Sequence, residues 1–371
     1  MNSPKARLIA YYLPQFHPIP ENDEWWGKGF TEWTNVAKAK PLFPGHYQPH
    51  IPADLGFYDL RVPETRIAQA EMAREYGIEG FCYWHYWFAG KRLLERPFNE
   101  VLKSGEPRFP FCLAWANQSW TGIWHGNPGR ILVEQTYPGI EDYKAHFYAL
   151  LDAFADDRYI KVDGKPMFQV FCPELLPDPR RFTDCWRELA VREGLAGLYF
   201  IGDDWGTEWL PEPNGFDASL TNMLLPALWQ FDVTVLSRLK RVRRGIRRKG
   251  LSQICREAFF KPAVYPYSDA VTQKAIRSLR GDMAQYPIVM PNWDNTPRSG
   301  DRGRVLHNST PDIFKIHLED AIRMVSAREP DGRIVFIKSW NEWAEGNHLE
   351  PDLKFGRAYL DAIHTVLGTL H

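Results

Sequence analysis

Two acidic side chains three residues apart, Glu342 and Glu345, stand in the run Ser339-Trp340-Asn341-Glu342-Trp343-Ala344-Glu345-Gly346. Glycosyl transfer needs two carboxyls of unequal proton affinity, one to protonate the leaving oxygen and one to act as base or nucleophile. Trp340 and Trp343 can shield one carboxyl from water and raise its pKa. Gly346 eases a turn behind the pair. By spacing alone, two such glutamates could equally act as helix-capping groups. Their position separates the two readings, because the run follows directly on a strand-length apolar stretch.

The same association of aromatic rings with amide, imidazole or carboxylate groups recurs along the chain. The first instance holds Tyr12 and His17, in Tyr11-Tyr12-Leu13-Pro14-Gln15-Phe16-His17. Trp26 and Glu32 follow in the next loop. Tyr83-Trp84-His85-Tyr86-Trp87 supplies Trp84, His85 and Tyr86. Trp115 and Asn117 precede Gln118-Ser119-Trp120, and Asp203-Asp204-Trp205 supplies Asp204 and Trp205. Asn292, Trp293 and Asp294 lie in a further cluster, and Trp340 and Asn341 flank Glu342. The chain has 15 Trp in 371 residues. Many sit beside polar residues, so flat apolar faces with polar tips are offered where sugar rings could stack. Taken singly, each Trp could equally be core.

Something must bring these groups to one place. Eight apolar runs of strand length recur: Leu8–Leu13, Gly80–Trp84, Phe111–Trp115, Pro166–Phe171, Leu198–Gly202, Ala218–Thr221, Ile288–Met290 and Ile334–Ser339. Helical patterns lie between them, at Glu64–Tyr76, Pro97–Lys103, Glu141–Phe154, Asp178–Glu193, Asp269–Ala284, Pro311–Ala327 and Gly356–Leu367. Alternation of this kind predicts α/β architecture with a parallel sheet, and eight repeats predict a (β/α)8 TIM barrel. Nearly every polar-aromatic cluster then falls at a strand's C-terminal end, the face on which such barrels carry their sites. The connections 14–62 and 222–287 are long and belong to that face. With no linker or repeat in sight, residues 1–371 are expected to form one domain.

The formal net charge of −1 points to no nucleic acid. Five cysteines without CxxC spacing predict no disulfide framework. Neither metal nor cofactor is expected. The N-terminus lacks the apolar core of a signal peptide, and no run reaches membrane-spanning length. The expectation is therefore a cytoplasmic protein. Arg238–Lys249 carries eight basic residues in twelve and a possible apolar stripe. It is either a solvated segment or a contact for anionic lipid or a phosphate-linked glycan. Oligomeric state is not legible.

The opening Tyr-Tyr-Leu-Pro-Gln-Phe-His-Pro resembles WbsX-type proteins of bacterial polysaccharide and O-antigen loci. So do Trp25-Trp26-Gly-Lys-Gly-Phe-Thr-Glu-Trp33, His46-Tyr-Gln-Pro-His50, Gly80-Phe-Cys-Tyr-Trp-His-Tyr-Trp87 and Trp340-Asn-Glu-Trp-Ala-Glu-Gly346. More distantly, the last of these is similar to the Asn-Glu-Trp-x-Glu-Gly pattern of glycoside hydrolase family 99. Pro291-Asn-Trp-Asp-Asn-Thr-Pro-Arg298 resembles a strand-7 motif of that same family. The resemblance implies a retaining, endo-acting hydrolase of α-mannoside-like links in a bacterial polysaccharide or O-antigen-type glycan. It also implies a role for each glutamate: Glu342 as base on the sugar's 2-hydroxyl, giving a 1,2-anhydro intermediate, and Glu345 as general acid and then base. His17, the Trp25-Trp26 loop and the 222–287 insertion have no counterpart there. A nucleotide-sugar glycosyltransferase and a non-catalytic glycan-binding barrel remain alternatives. The first would use Asp203-Asp204 as a metal–diphosphate site but lacks a G-x-G-x-x-G signature.

Overall fold

A computed structural model describes residues 5–122, 127–204, 209–222, 224, 262–272 and 284–369. Its centre is a closed parallel barrel. The strands are β1 (Arg7–Tyr12), β2 (Gly80–Phe88), β3 (Phe111–Trp115), β4 (Lys165–Val170), β5 (Tyr199–Asp204), β6 (Ala218–Asn222), β7 (Ala284–Val289) and β8 (Ile334–Ile337). Each pairs in parallel with the next. β8 returns to β1 through Leu8↔Val335 and Ile9↔Phe336, which closes the ring. The fold is a (β/α)8 barrel. Strands buried on both faces have no polar side to show, which explains why the eight apolar runs mark them so well.

In the β1 connection lie two short helices, α1 (Pro20–Trp26) and α2 (Glu32–Lys38), before the first barrel helix, α3 (Pro63–Glu75). Then follow α4 (Arg96–Ser104) after β2, α5 (Ile140–Ala155) after β3 and α6 (Pro179–Arg192) after β4. Proline in the first turn starts α3 and α6, where no backbone N–H is lost from the helix. Asp178 caps α6 by accepting from Arg181 N at 2.9 Å. After β5 the described residues show only a 3-10 turn, Glu212–Asn214. α7 (Tyr267–Thr272) follows β6, α8 (Thr296–Ser299) and α9 (Pro311–Val325) follow β7, and α10 (Ala358–Thr369) follows β8. Of the helix expected over 269–284, the part through Thr272 is helical, residues 273–283 lie outside the described residues, and Ala284 already belongs to β7. The basic segment Arg238–Lys249 lies outside the described residues. No helix among those described is long and apolar enough to cross a membrane.

Between barrel and helices lies a layer of aromatic rings. Trp186 of α6 packs on Phe168 of β4 and donates its indole N–H to the Tyr143 carbonyl at 2.9 Å. Alternation along each strand sends one set of side chains to this layer and the next into the barrel. Tyr11 points inward, its hydroxyl donating to Gln169 at 2.6 Å. Tyr12 points outward, donating to Gln69 of α3 at 2.7 Å.

Candidate active site

Beyond β8 the chain forms a tight hairpin in which Asn341 faces His348 and Glu342 faces Asn347. Asn341 clasps β1: its Oδ1 accepts from Leu13 N at 2.7 Å, and its Nδ2 donates to Leu13 O at 3.1 Å. A 3-10 turn, Trp343–Glu345, ends at Gly346 with φ +64°. A Cβ there would stand 2.9 Å from the Asp294 Cβ, so glycine answers both the backbone angle and the crowding. Asp294 N donates to the Glu345 carbonyl at 2.6 Å. Strand, turn and neighbouring loop thus fix both glutamates.

Their carboxyls converge on one guanidinium. Arg298, from the short α8, has Nη1 2.7 Å from Glu345 Oε1 and 3.4 Å from Glu342 Oε1. Its other edge meets Glu32 Oε2, with Nη2 at 3.0 Å and Nε at 3.1 Å. Ser339 Oγ donates to Glu342 Oε2 at 3.1 Å. The two carboxyls separate in proton affinity. Burial, together with the neighbouring Glu342 charge, pushes Glu345 up to about 7. Burial acts on Glu342 in the same direction, but Lys338, Arg298 and the Ser339 hydroxyl outweigh it and hold Glu342 below its ordinary value. At neutral pH one group is an anion and the other is close to half protonated, the arrangement that acid–base work on a glycosidic bond calls for.

Both carboxyls open onto a cavity of about 390 Å³, within the range of small-ligand sites. Trp26, Trp84, Tyr86, Trp120 and Phe171 supply its aromatic walls, while Gln15, Gln118 and Lys338 add polar groups. Trp84 lies stacked on Tyr11 (centroids 4.9 Å apart), and the Trp120 ring meets Tyr86 edge-on at 4.9 Å. Rings held by other rings offer a rigid face to a sugar.

Of the residues singled out in the sequence, Trp26, Trp84, Tyr86, Glu342 and Glu345 line this cavity. Glu32 sits behind it, reaching it through Arg298. Strand alternation turns several others away. Tyr12 faces α3. His85 pairs with His146 at 2.8 Å in the outer layer, and Trp115 packs on His146 and Phe182 there. Trp340 is fully buried against Phe81. His17 is buried in the β1 loop with Nδ1 on the Pro14 carbonyl at 2.9 Å. Asn117 ties β3 to β4 by bonding both the N–H and the carbonyl of Cys172 at 2.8 Å. Asn292 and Asp294 border a separate cavity of about 40 Å³. Asp294 there accepts from His46 and Gln48 at 2.7 Å each. The Trp293 ring lies 5.0 Å from Lys338 Nζ. The Asp204 side chain and Trp205 lie outside the described residues.

Lys338 and Trp120 were overlooked as site residues, although Lys338 stands inside the eighth apolar run and Trp120 closes the cluster that begins at Trp115. Arg298 is the weightiest omission. Its only sequence signal is its place at the end of Pro291-Asn-Trp-Asp-Asn-Thr-Pro-Arg298. Among the described residues, His50, His348 and Asp352 form the one group of His, Cys, Asp and Glu close enough to share a metal ion.

A family model described as Glycosyltransferase WbsX matches residues 8–363. A relative described as uncharacterized protein WxcX, from Xanthomonas campestris pv. campestris strain B100, is 39% identical over 368 residues. That match covers 98% of this chain and 50% of the relative, so the chain spans about half the length of the curated relatives it matches. A solved structure described as a glycoside hydrolase-like protein superposes with a TM-score of 0.58 at 13% identity, covering 99% of this chain and 94% of that one. The GH99 endo-alpha-mannosidase of Bacteroides thetaiotaomicron superposes with a TM-score of 0.55 at 15% identity, covering 98% and 96%. At such identities the structural likeness is one of fold.

Proposed function

The chain belongs to the WbsX glycosyltransferase family, and from that premise we propose that it cleaves a glycosidic bond with retention of configuration. Its substrate is an α-mannoside-like link inside a bacterial polysaccharide or O-antigen-type glycan. The observation that carries this reading is the split pair, Glu342 held down and Glu345 pushed up to about 7 beside one guanidinium in an aromatic-walled cavity.

In the first step Glu342 removes the proton of the sugar's 2-hydroxyl, and that oxygen bonds to C1. The bond from C1 to the leaving oxygen breaks, and Glu345 gives that oxygen its proton. In the second step Glu345 takes a proton from water, and the water oxygen bonds to C1. The ring between C1 and O2 opens, and O2 recovers its proton from Glu342. Two inversions at C1 give retention. The route requires a 2-hydroxyl trans to the leaving group, which a manno-configured α-glycoside has. Its fold likeness to an endo-alpha-mannosidase supports the same substrate class.

The family's description favours a second reading, transfer to a sugar hydroxyl. The same pair performs it if an acceptor hydroxyl replaces water in the second step. Incubation with an α-mannooligosaccharide, followed by proton NMR, should give the α-anomer first. A β-anomer as first product would overturn the retaining mechanism. Thermal stabilisation by a nucleoside diphosphate with a divalent metal, beyond that of the metal alone, would replace hydrolysis with nucleotide-sugar transfer.

A further inference from the structure

The geometry points to a binding site for one zinc-class divalent cation formed by His50, His348 and Asp352, beside the smaller cavity and independent of the reaction proposed above. It departs from the sequence expectation of no metal. All three side chains are buried, and their ligand atoms lie within 4.8 Å of one another. His50 Nδ1 is 2.9 Å from His348 Nε2, and His348 Nε2 is 4.0 Å from Asp352 Oδ2. Two imidazoles and one carboxylate at these separations match the donor set that zinc takes in sites with one position left for water.

The surrounding groups orient each donor. His348 Nδ1 lies 2.8 Å from the Glu350 carbonyl, which can only accept, so the ring's proton is on Nδ1 and Nε2 presents a lone pair. The backbone N–H groups of Lys354 and Phe355 both donate to Asp352 Oδ1, at 3.0 and 2.6 Å, and leave Oδ2 toward the histidines. In the protein as described, one proton between His50 and His348 does the joining. Moving the His50 proton to Nε2 frees Nδ1, and a cation then takes that proton's place.

Two segments far apart in sequence hold the donors in register. Ala53 N donates to Pro351 O and Leu353 N to Ile51 O, each at 2.9 Å, with Pro52 bridged to Asp352. The Trp343 ring stacks on His348 with centroids 3.7 Å apart. His50 also borders the cavity of about 40 Å³, with His46, Asp294 and His307. A bound cation would tie the 46–50 segment to the hairpin bearing Glu342.

Purified full-length chain, stripped with a chelator, is titrated with Co²⁺ alone and read by visible absorption. One equivalent should bind with the intense bands of low-coordinate Co²⁺ and be displaced by Zn²⁺. Asp352→Asn and His348→Ala should each weaken binding about 100-fold. Zn²⁺ should raise the Tm of the parent and leave both variants unmoved. Absence of stoichiometric binding to the parent overturns the site, and so does binding that both variants retain. Should the variants fail to fold, X-ray absorption at the zinc edge of the loaded parent decides. Two imidazole ligands support the site, and any other number overturns it.

Discussion

Glu32 lies wholly buried behind Arg298, its Oε2 3.0 Å from Nη2. Much of the guanidinium's charge is thereby spent on a residue that does not line the cavity. Three carboxyls, Glu32, Glu342 and Glu345, stand near two cations, Arg298 and Lys338. Holding one proton makes that group neutral, and of the two carboxyls on the cavity Glu345 has the higher proton affinity. The Glu32 charge adds a smaller push to the burial and the Glu342 charge that raise Glu345, which on the proposed mechanism would make it a positioning residue.

Replacement of Glu32 tests this directly. In Glu32→Gln a smaller repulsion on Glu345, behind burial and the Glu342 charge, is removed and Arg298 turns more of its charge to Glu345, so the Glu345 pKa falls. The alkaline limb of the kcat profile should move to lower pH by roughly 0.5–1 unit. An unmoved limb would show that Glu32 only packs.

On the proposed mechanism, Glu345→Gln removes the proton donor and leaves the 2-hydroxyl base. Turnover of an oligosaccharide should fall by on the order of 10³-fold, as for loss of a general acid. An aryl glycoside with an acidic leaving group needs no protonation, so its first step should lose far less. Equal losses on both substrates would place Glu345 outside acid catalysis.

Arg298→Ala strands the buried carboxyls of Glu32 and Glu342 and the partly buried one of Glu345. Unfolding in urea at neutral pH should show a loss of about 3–5 kcal/mol. The loss should shrink toward pH 5, where protonation relieves the uncompensated charges. A loss independent of pH would mean that Arg298 contributes packing rather than charge.

The raised Glu345 has a consequence for stability with a definite sign. Its pKa in the folded protein, about 7, exceeds the ordinary 4.5, so the folded state binds the extra proton. That contribution is complete below about pH 4.5 and is lost as pH rises through 7, an effect on the order of 2–3 kcal/mol. Glu342 works in the opposite sense and in a lower window, because its pKa is depressed. Between pH 5 and 8 the Tm of the parent should therefore fall more steeply than that of Glu345→Gln. Parallel curves would contradict the assignment.

The barrel was legible because its strands are buried on both faces and so read as unbroken apolar runs. That property also hid which face each side chain takes. Nothing in Tyr11-Tyr12 or Trp84-His85 distinguishes the inward residue from the outward one, and His85, Tyr12 and Trp115 were misplaced on that account. Glu342 and Glu345 escaped the ambiguity because both lie past the strand, in the hairpin and its turn. Arg298 was illegible as a partner because it comes from a four-residue helix after β7, and its contacts with Glu32 span 266 positions. The grouping of His50 with His348 spans 298 and leaves no local spacing to notice.

The clasp of Asn341 on Leu13 joins positions 328 residues apart. During synthesis β1 emerges early and must wait, its end unpaired on that side, until the eighth strand has left the ribosome. The step that seals the ring also brings both glutamates to the barrel mouth. Closure of the barrel and completion of the proposed catalytic pair thus coincide, late in synthesis.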